Sequence, residues 1–449
     1  MKKNQQSGKF AAILAVCIAI SGILAGCGEA GNAQGMPAGS QQTSGSVPAS
    51  GGATSGATAS GTAASGTAEG PVLAAAEVPD FQGIQTFSKE LFAGSLAEKN
   101  PVLSPVSAYL AMSLVGAGAN GETAAEFDAC LGAGRQAVSQ RLMESLPTDE
   151  EGMQVALANS AWLDDRMQCE AEWLRTAGEC FHADTYRLTL SSPDAMNGIN
   201  GWVEDHTRGL IKQFLAEPLT AETRLALFNT LYFKGNWAEA FEGTETADRP
   251  FTVGGDMVVK VPMMRKYNET LSYVEGRECE GIVLPYRQSD LVFVALKPTG
   301  GQTVRQLCDQ LDLGQIGEMV DQAKSCKVDL LLPKFQVTFD RKLNDDMIDM
   351  GLGSAFDSAL ADFSGIGTTT EGEPLYISLV RQKAVFIVDE EGTEAAAVTM
   401  VAMQENAMLI EEDPKEVHFD EPFLYMILNP ETDVALFMGI MDDPALAQG

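Results

Sequence analysis

The chain has 449 residues, 45% of them apolar and 20% charged, enough for one large core or two ordinary ones and too apolar for disorder throughout. Its 62 acidic residues against 30 basic ones give a formal charge of -32, which repels phosphate backbones and anionic headgroups, so no nucleic-acid partner is expected. Only His182, His206 and His418 could serve a zinc site or a histidine-based triad, and no HExxH, GxSxG or P-loop pattern occurs. Neither a metal nor a cofactor is expected, and the chain does not read as an enzyme.

Residues 1–26 read as a targeting segment. Lys2, Lys3 and Lys9 form a basic start, and residues 10–23 are an apolar run too short for a comfortable permanent membrane helix. The run ends in Leu24-Ala25-Gly26-Cys27, small residues before a cysteine that resemble the lipobox of bacterial lipoproteins. That resemblance implies cleavage before Cys27 and a diacylglycerol anchor on its thiol. The mature protein would then be exported and held on the outer, extracellular face of a bacterial membrane. Residues 27–77 are mostly Gly, Ser, Ala and Thr, with too little apolar surface to offset the entropy of ordering, and read as a tether. Cys130, Cys169, Cys180, Cys279, Cys308 and Cys326 remain in the body without CxxC or framework spacing, so their pairing stays open although export permits disulfides.

A domain over residues 78–445 follows. Phe81, Ile84, Phe87, Leu91, Phe92 and Leu96 recur at helical spacing, and Asn100-Pro101 ends that helix. Ser104 caps a second helix with Pro105 in its first turn, stopped by the glycine-rich stretch 116–121. Residues 155–163 and 186–190 read as strands, and Ile199, Trp202, Val203 and Ile211 as one helix face. The run 225–233 is apolar except near Asn229, which suits a strand buried on both faces and requires buried partners for the asparagine. From Val258 onward short strands dominate: 282–284, 291–296, 328–332, 384–388, and a hairpin over 423–438 turning at 429–433. Helices early and strands late, with no internal repeat, indicate an α+β domain.

Six separated stretches together resemble the serpin family: NPVLSPVS at 100–107, NTLYFKGNW at 229–237, LPKF at 332–335, ADFSGI at 361–366, DEEGTEAAAVT at 389–399, and 422–426 with Phe437-Met438-Gly439. The resemblance implies three β-sheets with about nine helices and an exposed reactive-centre loop over about 392–416. An inhibitor of this family offers the loop to a serine protease and forms a covalent acyl-enzyme. It then traps the protease by inserting the cut loop as a new strand of the main sheet. A monomer is expected.

Insertion demands alternating side chains that tolerate burial. Thr393, Ala395, Ala397 and Thr399 would share one face, all small. Glu394, Ala396 and Val398 take the other, where one glutamate stays solvated, and Gly392 supplies the pivot. Glu390 and Glu391 precede it. An isolated Glu/Ala-rich segment would favour helix, but its place directly after a strand argues for the hinge. By resemblance, Ser104, Ser107 and Asn229 form a shutter beneath the sheet, with Gln382 where the family commonly has histidine, so a pH-sensitive shutter is not implied. Trp237, Lys334 and Glu390 match the breach where the loop enters, with a Lys334–Glu390 ion pair. The scissile bond falls at Asn406-Ala407 by counting from Glu390, with Ala407 or Met408 as further cleavage residues. No Lys or Arg lies between Lys383 and Lys415, which disfavours trypsin-like targets and favours elastase-, subtilisin- or chymotrypsin-like ones. The rival readings are a non-inhibitory serpin serving as a surface binding protein and a serpin-like scaffold in an adhesin.

Overall fold

The apolar run around Asn229 becomes the 13-residue strand Thr223–Gly235, buried along nearly its whole length. Its side chains divide between two cores with the strand period of two. Leu225, Leu227, Leu231 and Phe233 enter the main core, whereas Ala226 and Phe228 join a second cluster with Trp162, Ile199, Trp202 and Val203. That second cluster lies under the helix Pro193–His206, which covers the other face of the sheet. A computed structural model describes the backbone of residues 14–23 and residues 79–255, 257–370, 374–392 and 413–447.

Across the first sheet the order is Phe335–Lys342, Ile377–Val388, Leu14–Ile23, Thr223–Gly235, Met153–Leu163 and Thr148–Glu150, with Ala183–Arg187 parallel to Met153–Leu163. A second sheet of nine strands runs from Lys415–His418 through Lys324–Pro333, Met257–Glu275, Cys279–Pro285 and Val292–Pro298 to the C-terminal hairpin, Phe423–Asn429 and Val434–Met441. Val102–Leu103 closes its far edge, and Ala247–Gly254 pairs with Met257–Glu275. Gly367–Thr369 and Met167–Cys169 make a small third sheet. Nine α-helices occur among the described residues, so the class is α+β with three sheets.

Between the two large sheets lies Pro105–Gly116, every residue of which is buried. A helix apolar all round belongs inside a core, and Ser104 caps it by accepting from the Ser107 N–H. Just before it, Asn100 adopts the left-handed conformation at φ 44° and binds the far end of the chain. Its Oδ1 accepts from the backbone N–H groups of Asp442 and Asp443 at 2.8 and 2.9 Å, and its own N–H donates to Asp442 Oδ2 at 3.0 Å.

Several expectations are corrected. The strand placed at 186–190 is Ala183–Arg187: it is a mostly exposed edge strand, so apolar patterning could not set its limits. Ile211 lies beyond the end of Pro193–His206 yet still packs in that helix's cluster. Helices are not confined to the first half, since Val304–Gln310, Leu313–Asp321 and Asn344–Asp349 fall between late strands. The six body cysteines are free thiols, and burial pushes Cys130 and Cys308 up to about 12, which keeps both protonated and inert at neutral pH.

Candidate functional site

The strand Ile377–Val388 leaves the sheet at its top and the chain turns at once. Gly392 N–H donates back to the Asp389 carbonyl at 3.3 Å, closing a turn over residues 389–392. Gly392 has φ 79°, and a Cβ there would stand 2.4 Å from Trp237 N and 2.7 Å from Gly235 O, so the position accepts only glycine.

Three hydrogen bonds to its backbone carbonyls fasten the turn to the segment after Thr223–Gly235. Trp237 donates its indole N–H to Asp389 O at 2.9 Å and its backbone N–H to Glu391 O at 3.2 Å, and Phe241 N–H donates to Glu390 O at 2.7 Å. The indole is itself held by stacking on Tyr286 at 5.0 Å. Lys334 Nζ meets Glu390 Oε2 at 2.6 Å, and Thr246 donates to Glu390 Oε1 at 2.9 Å. With 40% of the Lys334 side chain exposed, the pair contributes at most about 1 kcal/mol, so it fixes geometry more than it holds the fold.

Two carboxylates in this turn are driven opposite ways. Burial pushes Asp389 up to about 6, assisted by Glu390 and Glu391 and opposed by the Glu391 N–H and Lys334. Burial would also raise Glu390, but hydrogen bonds from Lys334, the backbone and Thr246 outweigh it and hold Glu390 below the usual range. A raised carboxylate favours the folded turn fully below its unfolded value of 3.8 and loses that contribution as pH rises through about 6. The depressed Glu390 contributes above its unfolded value of 4.5 and loses it as pH falls through its folded one. The closed turn is therefore tightest near pH 4 to 5 and loosens toward neutrality. Amide exchange of Glu391 and Gly392, corrected for intrinsic pH dependence, should quicken between about pH 4.5 and 6.5 and become flat over that range in Asp389→Asn. A flat profile in the unsubstituted chain would refute this assignment.

Lower in the sheet a buried polar chain crosses from strand to strand. Gln382 Oε1 accepts from Ser104 N–H at 3.1 Å, and its Nε2 donates to Ser104 O at 2.9 Å. Ser107 donates its hydroxyl to Asn229 Oδ1. Asn229 Nδ2 donates to Asn159 Oδ1 at 2.8 Å, and Asn159 Nδ2 to Phe181 O at 2.7 Å. All five side chains are buried, and each bond satisfies a group that would otherwise be stranded. Gln382 makes a paired, uncharged contact with one backbone unit. Between Asn229 and Gln382 runs Leu14–Ile23, with Ile18 opposite both.

The family model described as Serpin (serine protease inhibitor) matches residues 82–444. The chain belongs to the serpin family. An uncharacterized serpin-like protein of Thermococcus kodakarensis is 32% identical over 82% of this chain and 86% of its own length. A serine protease inhibitor of Cyanea capillata is 31% identical over 82% of this chain and 98% of its own. The crystal structure of a thermophilic serpin, tengpin, in the native state superposes with a TM-score of 0.72 at 28% identity, covering 80% of this chain and 93% of that one. Serpins are mostly protease inhibitors rather than catalytic enzymes.

Of the residues expected at the breach, Trp237, Lys334 and Glu390 meet around the 389–392 turn, and of those expected at the shutter, Ser104, Ser107, Asn229 and Gln382 take part in the buried polar chain. Glu391 and Gly392, expected in the hinge, complete the 389–392 turn. Thr393, Glu394, Ala395, Ala396, Ala397, Val398 and Thr399, the expected cleavage residues Asn406, Ala407 and Met408, and Cys27, the expected anchor, lie outside the described residues. Sequence reasoning missed three participants: Asn159, Asp389 and Thr246. Asn159 was discoverable, because it is the one amide in the apolar run 155–163, as Asn229 is in 225–233. Asp389 carried no such signal, since one acid among the acids at 389–391 does not disclose which is buried.

Proposed function

We propose that this serpin inhibits serine proteases by the suicide route: its loop is cleaved, an acyl-enzyme forms, and the loop inserts into the main sheet before deacylation. The observation that carries the reading is the turn at 389–392, which leaves the end of Ile377–Val388 and reverses the chain. If the chain continues antiparallel with Thr393 opposite Val388, then Ala395, Ala397 and Thr399 fall opposite Phe386, Ala384 and Gln382. Those four partners are 0 to 2% exposed, so this line requires small uncharged side chains. The sequence supplies Thr, Ala, Ala and Thr. About fourteen inserted residues at roughly 3.3 Å each would carry the protease some 50 Å down the sheet.

The loop has no basic residue at or near the proposed bond, which favours elastase-, subtilisin- or chymotrypsin-like targets. Export and lipid anchoring through Cys27 would place the inhibitor at a cell surface, with residues 27–77 giving it reach. Incubation with pancreatic elastase, subtilisin, chymotrypsin and trypsin should give an SDS-resistant complex with one of the first three and none with trypsin. Mass spectrometry of the released peptide locates the bond. Cleavage without a covalent complex in every case would overturn the reading in favour of a substrate-like serpin.

A further inference from the structure

The main sheet has one strand position between Thr223–Gly235 and Ile377–Val388, and Leu14–Ile23 occupies it. The pairing is antiparallel on both sides. It runs from Leu14 opposite Phe233 to Ile23 opposite Thr223 on one edge, and from Ala15 opposite Val385 to Gly22 opposite Ile377 on the other. A loop reversing through the 389–392 turn would run in the same direction and bring Ala397 and Thr399 opposite Ala384 and Gln382. Val16 and Ile18 already hold those register positions. Both edges of the position offer backbone N–H and C=O groups that one strand alone can satisfy, so the two segments exclude each other. The sequence LAVCIAISGI contains no charge and no proline, which suits a central strand, whereas the hinge segment brings Glu394.

We infer that the apolar segment 14–23, while still attached, is a placeholder strand that blocks entry of the loop, and that cutting the chain before Cys27 vacates the position and arms the inhibitor. The arming step rests on the proposed inhibitory function; the strand competition does not. The test uses the full chain with Cys27→Ala, so that it stays unprocessed, purified in detergent beside the same chain carrying Ile18→Pro. Proline removes an N–H from the middle of the segment and changes no residue of 78–445.

Hydrogen exchange over 225–233 and 379–385 should be at least about tenfold faster in the Ile18→Pro chain, with exchange over 423–429 unchanged as a sign of an intact fold. A synthetic peptide of sequence 393–404 should be taken up by the Ile18→Pro chain and refused by the other. Equal exchange in the two chains, or equal peptide uptake, would overturn the inference. Protease complexes are read separately. Peptide uptake without any complex would uphold the strand competition and remove the inhibitory reading instead.

Discussion

Thr393→Arg in the mature domain is expected to turn an inhibitor into a substrate. On the proposed insertion this residue would be the first to enter the sheet after Gly392, opposite Val388, which is 2% exposed. A guanidinium there must lose its water with no carboxylate assigned to receive it, a penalty of several kcal/mol at the step that nucleates insertion. Loop cleavage does not need insertion and should continue. The outcome read on a gel is a fall of roughly tenfold or more in covalent complex with cleaved chain accumulating in its place. Thermal stability after cleavage should rise in the unsubstituted domain and stay level in the variant. If Thr393→Arg formed complex as well as the parent, the hinge assignment or its register would be wrong. Thr393→Ser, which keeps size and polarity, should behave as the parent.

Asn229→Ala is expected to be the most damaging single change to the native sheet. The asparagine is fully buried and takes part in two hydrogen bonds, accepting from Ser107 and donating to Asn159. Alanine leaves the Asn159 carbonyl oxygen and the Ser107 hydroxyl without those partners, and adds a small void between helix and strand. Together these effects should cost about 3 to 5 kcal/mol. Urea unfolding would read this as a lower midpoint at unchanged slope. Ser107→Ala removes one bond and orphans one acceptor, so its cost should stay nearer 1 kcal/mol. Equal effects from the two substitutions would show that Asn229 is not the hub of the network.

Much of this architecture was readable from the chain, and the boundary follows burial. Thr223–Gly235 was visible because both of its faces are apolar, so its run stands out without any partner being known. Pro105–Gly116 was visible for the same reason, helped by its serine cap and first-turn proline. Ala183–Arg187 was misplaced because its residues face solvent, and its pairing depends on Met153–Leu163 rather than on its own composition. The polar network was half visible: Ser104, Ser107, Asn229 and Gln382 came from family likeness, while the Asn159 link required the strand register to be known. Residues 14–23 posed the hardest case. A short apolar run suits helix or strand equally, and only the two flanking strands, more than two hundred positions away, decide in favour of strand.

The ties between Asn100 and residues 442 and 443 span sequence separations of 342 and 343, nearly the length of the domain. Folding with closures this remote is slow, because much chain must be ordered before the last contact repays it. During synthesis the residues that lock the first helices are made more than three hundred residues after them. Residues 14–23 emerge more than three hundred residues before Ile377–Val388. For most of the time a ribosome spends on this chain, the apolar segment therefore has no sheet to join and is free to be captured by other machinery.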